Sequence, residues 1–424
     1  METESIEVLE TPGGVPVIVD RAAGRGSAGY MAAIGTGSRD EDPSLGGISH
    51  LLEHVVFRAT ETRSSYQMSR EIEGAGGEMN AFTGREETAF YAVTISETAG
   101  VAREMVADVV ANPLIGGEDT DLERKIVLQE LSMAESEPES YVHDLFFMNF
   151  WRGHSLCQDE GGKPEIVERL SSGDLRAYYE ERYGAPNMAV FAAGDADPAE
   201  TAEWAAESFD GMAGKRRVSR EPPAPPEAGC FFVKNRSEHC QIAMGLPSYP
   251  PLHRLRPAAA VLSGVLGSGT SSRLFQEVRE KRALVYSVYS RLEQHSDAGA
   301  LCAFMSCTTG NAMEAVRAAA GALSSVRREG FEKGEVERTK RLIKGAVVRA
   351  AESTERRLYM LSRDFMLCGR AKTLEERLAE IDSVTEEDVA AAASEIIGSG
   401  RLNMTVLGRG DRALRRLDAS EIDL

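Results

Sequence analysis

His50 and His54 stand four residues apart in the segment Gly46-Gly47-Ile48-Ser49-His50-Leu51-Leu52-Glu53-His54-Val55-Val56-Phe57. On a helix that interval is about one turn, so both imidazoles project from one face and can share a metal ion. Glu53 lies near the same face, where a carboxylate can reach an activated water without being a ligand itself. The order is His-x-x-Glu-His, the reverse of the commoner His-Glu-x-x-His. Two histidines on an amphipathic helix are also an ordinary surface feature, so the motif needs support elsewhere in the chain. That support comes from LERKIVLQEL, where Glu123 and Glu130 are seven residues apart and stack two turns distant on one helical face. One can bind metal while the other supports it. Two His and one Glu, with a position left open for water, form a zinc set suited to peptide hydrolysis. Taken alone, the two glutamates would read as a solvated face of an acidic protein.

With these residues in place the chain resembles the pitrilysin and insulinase family, in its shorter branch with mitochondrial processing peptidase and bacterial processing proteases. Members carry the inverted motif, then Phe-x-Gly-Thr, Asn-Ala-x-Thr-x-x-Glu, and two glutamates seven apart. Here these are His50 to His54, Phe57-Arg58-Ala59-Thr60, Asn80-Ala81-Phe82-Thr83-Gly84-Arg85-Glu86, and Glu123 to Glu130. Ala59 replaces the usual glycine; the ligand positions are intact. The resemblance implies a zinc endopeptidase with one Zn2+ per chain held by His50, His54 and Glu130. It makes Glu53 the general base and Glu123 a supporting residue. Asn80 and Ala81 would hold a peptide or unfolded polypeptide as an added strand, a mode in which main-chain hydrogen bonds supply most of the affinity.

A second match lies in Ser271-Ser272-Arg273-Leu274-Phe275-Gln276-Glu277-Val278-Arg279-Glu280-Lys281 and Leu284-Val285-Tyr286-Ser287. Relatives use an Arg and a Tyr at this interval to hold substrate, which assigns that role to Arg279 and Tyr286; Val285 replaces a common glycine. Long members join two such halves in one chain. This chain is one half, so the resemblance implies a homodimer with shared sites, or a heterodimer with a related subunit. The family also holds members that lost the zinc residues, so the alternative is a catalytically silent peptide-binding or assembly subunit; the complete ligand set favours the enzyme.

The elements that must position these groups follow from periodicity. Short apolar groups from Glu7 to about Ile34, broken by Gly-Gly and a Gly/Arg/Ser turn, read as a hairpin. Helical spacing is expected over Gly47–Val56, Tyr66–Gly74, Glu97–Ala111 and from Asp119 or Thr120 to about Ser136, and a buried strand over 187–193. The stretch GKRRVSREPPAPPEAG, 214–229, reads as a linker between an N-terminal zinc-binding domain, 1–213, and a C-terminal domain, 230–424. The second half replays the first: strands near Cys230–Val233 and Gln241–Leu246, a helix over Arg256–Leu266, and long helices after Thr309 and Glu332. The expected fold is α+β, two homologous domains, each a mainly antiparallel sheet packed with helices. Gly264 to Thr270 is glycine-rich but lacks the Lys-Ser/Thr of a phosphate loop, and is read as a loop. His143, His154, His239, His253 and His295 lack ligand spacing.

Composition narrows the partners. Forty-eight basic against 67 acidic residues leave a net charge of −19, which disfavours nucleic acid and anionic lipid. The six cysteines include no Cys-x-x-Cys pair, the start METESIEVLE is neither basic nor apolar, and no apolar run spans a bilayer. A cytoplasmic location with free thiols and no membrane association is the expectation.

Overall fold

The computed structural model describes residues 5–215, 218–409 and 414–422. It divides into two compact units. One comprises the chain up to Ser132 with Gln158–Arg220 and Val348–Glu376; the other comprises Met133–Cys157, Glu221–Val347 and the chain from Arg377 onward. Each is built on one mainly antiparallel sheet with helices, the expected α+β class.

In the first unit the strands are β1 (Ser5–Glu10), β2 (Pro16–Arg21), β3 (Ser27–Ile34), β4 (Glu78–Thr83), β5 (Thr88–Ile95) and β6 (Met188–Gly194). They lie in the order β1-β2-β6-β3-β5-β4, with only β2 and β6 parallel. The expected hairpin is therefore corrected. VPVIV pairs back onto β1, while β6, buried along its whole length, separates β2 from β3. A fully apolar strand belongs in the middle of a sheet, where both faces are covered. β4 is left at the edge.

Strand alternation sends side chains to two faces. Val17, Val19, Tyr30, Ala32 and Phe90 pack with α1 (Ile48–Val56), α2 (Ser65–Gly74), α3 (Ala99–Ala111) and α4 (Gly117–Ser136). Ile18, Met31, Ala33 and Tyr91 face the other way, against Leu358 and Leu361 of the helix Thr354–Cys368.

The second unit has β7 (Gly229–Lys234), β8 (His239–Ser248), β9 (Val285–His295), β10 (Ala298–Thr308) and β11 (Asn403–Gly408). Their order, β7-β11-β8-β10-β9 with β7 and β11 parallel, repeats β2-β6-β3-β5-β4 strand for strand. One face packs on the helices Arg256–Gly267, Ala312–Glu329 and Glu386–Gly398; the other takes Phe146 and Phe150 of α5 (Pro138–Phe150) beside Ala243, Phe304 and Leu407.

This division departs from contiguous halves at 1–213 and 230–424 in two places. Met133–Cys157 joins the second unit and Val348–Glu376 the first, because each sheet has a second apolar face that its own half of the sequence leaves uncovered. The described part of the 214–229 stretch forms no helix or strand before β7 begins. It is nevertheless tied down: buried Arg220 donates to both carboxylate oxygens of Asp40 at 2.9 and 2.6 Å and to the Glu86 carbonyl at 2.7 Å. The expected loop at Gly264–Thr270 is half helix, since Arg256–Gly267 runs through it. Two of its glycines serve packing: a Cβ on Gly264 would sit 2.5 Å from Thr339 Cγ2, and one on Gly267 would sit 2.2 Å from the Ser290 nitrogen; Gly269, with φ +79°, serves the turn. No helix among the described residues is long and apolar enough to cross a membrane.

Candidate functional site

α1 buries Ile48, Leu51, Leu52 and Val55 completely, and each such burial stabilises by about 1.5–3 kcal/mol. That fixes the helix's rotation and leaves His50, Glu53 and His54 on the opposite side, lining a cavity of about 590 Å3. The helix starts on Gly47, whose φ of +93° is left-handed and whose missing Cβ would lie 2.7 Å from the Gly161 carbonyl oxygen. Glycine has no side chain to cap the helix, and Glu41 does it instead. Its carboxylate accepts the Gly47 N–H at 2.7 Å and the Ser49 N–H at 2.9 Å. Burial pushes this carboxyl up to about 7, against the pull of those donors. The Ser49 hydroxyl continues to Tyr178 at 2.8 Å.

The His50 and His54 rings meet edge-on with centroids 4.7 Å apart. α4 runs past them with Glu123 buried and Glu130 exposed at the cavity. His54 Nδ1 lies 3.1 Å from Glu123 Oε2, and its Nε2 lies 3.4 Å from Glu130 Oε2; His50 Nε2 is 4.0 Å from the same oxygen. If the His54 Nδ1–H donates to Glu123, the Nε2 lone pair faces Glu130, the arrangement by which an outer carboxylate orients a metal-binding imidazole. His50 Nδ1 is buried with no hydrogen-bond partner among the described residues, so packing alone orients that ring. Burial and the neighbouring His54 lower the His50 pKa to about 4, keeping it in the neutral form a metal requires.

One atom each from His50, His54 and Glu130 fit within 4.8 Å of one another. Donors about 2.0–2.2 Å from a tetrahedral zinc are about 3.3–3.6 Å apart; the His54–Glu130 separation of 3.4 Å falls in that range, and the His50–Glu130 separation of 4.0 Å lies a little beyond it, within the reach of a side-chain rotation. Two imidazoles and a carboxylate, with one side open to the cavity, therefore fit zinc.

Glu53 is held by Thr83, whose hydroxyl donates to its Oε2 at 2.5 Å. Burial raises the Glu53 pKa and this bond pulls it back. Thr83 ends β4, the edge strand that also carries Asn80 and Ala81. Asn80 lines the cavity, and its side-chain oxygen accepts the Ala81 N–H at 2.9 Å. The turn after β4 is anchored by buried Glu86, which pairs with Arg39. Arg58 also lines the cavity, 3.5 Å from Glu123 and 3.6 Å from Asp119.

Arg279 and Tyr286 lie in the second unit, on a π-helical turn, Phe275–Glu280, and at the start of β9. The Arg279 guanidinium carbon is 4.8 Å from the Phe275 ring centroid and 6.0 Å from that of Tyr286. Tyr286 is 77% exposed, which sets aside a core role for it. Between them Ala283 takes φ +51°, an uncommon value for a residue with a side chain. Wide turns and such backbone recur at functional sites. The structure thus gathers His50, Glu53, His54, Asn80, Glu123 and Glu130 about one cavity, and places Arg279 and Tyr286 next to each other in the second unit.

Glu41, Thr83 and Arg58 were given no role from sequence. Thr83 could have been found by alternation, since it shares the Ala81 face of β4; Glu41 could have been sought because a glycine N-cap needs an acceptor from elsewhere.

Comparison with known proteins gives this geometry its place. The sequence profile for insulinase (peptidase family M16) matches residues 18–159, and that for the peptidase M16 inactive domain matches residues 169–343. An uncharacterized zinc protease of Mycobacterium tuberculosis is 33% identical over 406 residues, covering 94% of this chain and 92% of that protein. The chain belongs to the insulinase family. Another relative, the uncharacterized zinc protease YmxG of Bacillus subtilis, is 29% identical over 386 residues, 90% of this chain and 93% of that one. The insulinase-family fold is shared with two solved structures. A peptidase M16 inactive domain from Pseudomonas fluorescens superposes with a TM-score of 0.89 at 17% identity, covering 96% of this chain and 98% of that one. A protease from Helicobacter pylori gives 0.87 at 19% identity, covering 96% and 100%.

Proposed function

We propose that this chain is a zinc metalloendopeptidase acting on peptides or unfolded segments. The observation that carries the reading is the convergence of His50, His54 and Glu130 donors within 4.8 Å beside Glu53. Relatives named as zinc proteases support it. Zinc bound there would acidify water and polarise a scissile carbonyl. Glu53 would take the proton from water and return it to the departing amine, the role of a general base that then acts as acid. Glu123 would orient His54 through Nδ1. The edge of β4 that faces away from β5, with Asn80 and Ala81, would receive the substrate backbone as an added strand, so preference for substrate side chains should be loose. Arg279 and Tyr286 would hold the substrate carbonyl and developing oxyanion through their N–H and O–H donors. Residues from both units are required by this reading. A two-fold dimer in which each site draws on both chains would supply them, and we favour a homodimer on that ground.

Incubating the purified protein with a mixture of unfolded peptides, with and without a chelator, tests the reading. Cleavage that the chelator abolishes and zinc restores is expected. Cleavage indifferent to the chelator would sink it, and a protein that purifies without zinc and only binds peptides would favour the silent-subunit alternative.

A further inference from the structure

We propose that Thr83 is the positioning residue of the general base: it holds Glu53 in one orientation and ties that orientation to the strand that would receive the substrate. The proposal rests on the assignment of Glu53 above and goes beyond it. The Thr83 hydroxyl has its hydrogen bond to Glu53 Oε2, at 2.5 Å. A glutamate side chain has three rotatable bonds, and a buried carboxylate without a fixed partner samples several arrangements at similar energy. The bond engages one lone pair of Oε2 and leaves Oε1 the less encumbered oxygen, so one contact sets the rotamer and favours Oε1 as proton acceptor.

The identity of the strand gives the contact its second consequence. Thr83 and Ala81 share one face of β4 by alternation, while Phe82 packs on the reverse side against Tyr359. β4 is paired to β5 from Glu78 to Thr83 and has no strand partner on its other side among the described residues. The turn beyond it is pinned by the buried Glu86–Arg39 pair and by the Arg220 bond to the Glu86 carbonyl. A substrate strand added to this edge takes its register from the same backbone that carries Thr83. Glu53 itself stands on α1, so the Thr83 bond couples the base on that helix to the strand that would set the place of the scissile bond.

The test uses full-length protein with Thr83→Val, which keeps shape and loses the hydroxyl, and Thr83→Ser, which keeps the hydroxyl. Crystal structures report the Glu53 carboxylate directly, and steady-state kinetics with an unfolded peptide separate kcat from KM. For Val we expect a displaced or multiply placed carboxylate, unchanged zinc content, and a kcat about 10- to 100-fold lower with KM altered by less than about twofold. Ser should recover most of that loss and the parent placement. Thr83→Ala carries the same expectation as Val if the latter fails to accumulate. Glu53 unmoved in the Val structure, or kcat unchanged, overturns the proposal. A rise in KM alone also overturns it, and would make Thr83 a strand-binding residue instead. If the parent shows no zinc-dependent cleavage, the function assigned above falls, while the crystallographic arm still decides whether Thr83 fixes Glu53.

Discussion

Glu41→Gln is the perturbation that most directly probes how the metal-binding helix is held. The Glu41 carboxylate is buried and caps α1 through the Gly47 and Ser49 N–H groups. An amide puts an NH2 group where the carboxyl has its second oxygen, so one of those N–H donors faces a donor; even the protonated acid, whose hydroxyl oxygen can still accept, is better matched, and the amide costs about 1–3 kcal/mol. The carboxyl's own titration works the other way. Its pKa rises from 4.5 to about 7 on folding, because burial outweighs the donors. A raised carboxyl binds more protons folded than unfolded. The stability it contributes is therefore complete below the unfolded pKa and is lost as pH climbs through the folded one. That interval corresponds to about 3 kcal/mol. Gln has no such titration, so the variant should be less stable than the parent near pH 4.5 and should close the gap, or pass it, by about pH 8. Urea midpoints for the first unit, with Trp204 as reporter in a Trp151→Phe background common to both chains, measure the difference while other titrations cancel. A difference that stays flat across this range refutes the reasoning: it would mean that Glu41 is charged at low cost and that its cap is solvated.

Glu130→Gln should empty the zinc site or weaken it severely, whereas Glu123→Gln should weaken zinc binding by about 10- to 100-fold; metal titration ranks them, and the reverse order would exchange their roles. Arg220→Ala leaves the buried Asp40 carboxylate without its guanidinium and should cost about 3–5 kcal/mol, read as a lower denaturation midpoint; a change under about 1 kcal/mol would mean the pair is solvated. Mixing Glu53→Gln and Arg279→Ala chains, each nearly inactive, should restore part of the activity if dimer sites are shared; confirmed subunit exchange without recovery would rule sharing out.

Much of the site was legible because helical spacing is a rigid ruler. An interval of four from His50 to His54 and of seven from Glu123 to Glu130 determines faces whatever the rest of the fold does, and α1 and α4 present them as that spacing requires. The contacts that cross sequence were not legible. Nothing local says that β6 separates β2 from β3, because a buried apolar strand carries no label for its neighbours. Nor does α5 announce that its phenylalanines cover β8 and β11 rather than the sheet that precedes it. Thr83 escaped for the same reason, since its partner Glu53 lies 30 residues back in the chain; Glu41 caps N–H groups only six and eight residues on, but a glutamate before a helix is too common to single out. Glycines 264 and 267 misled in the other direction, since a small residue demanded by close packing looks like one demanded by a turn.

The central claim, that Glu53 activates water at a zinc site built from His50, His54 and Glu130, is tested most directly by one comparison. Zinc content and peptide hydrolysis are measured on the same preparations of the parent and Glu53→Gln. The amide keeps the size of the side chain and loses the base, so metal occupancy should stay at the parent level while hydrolysis falls by at least about 100-fold. Hydrolysis near the parent rate in a Gln chain with full zinc would contradict the account.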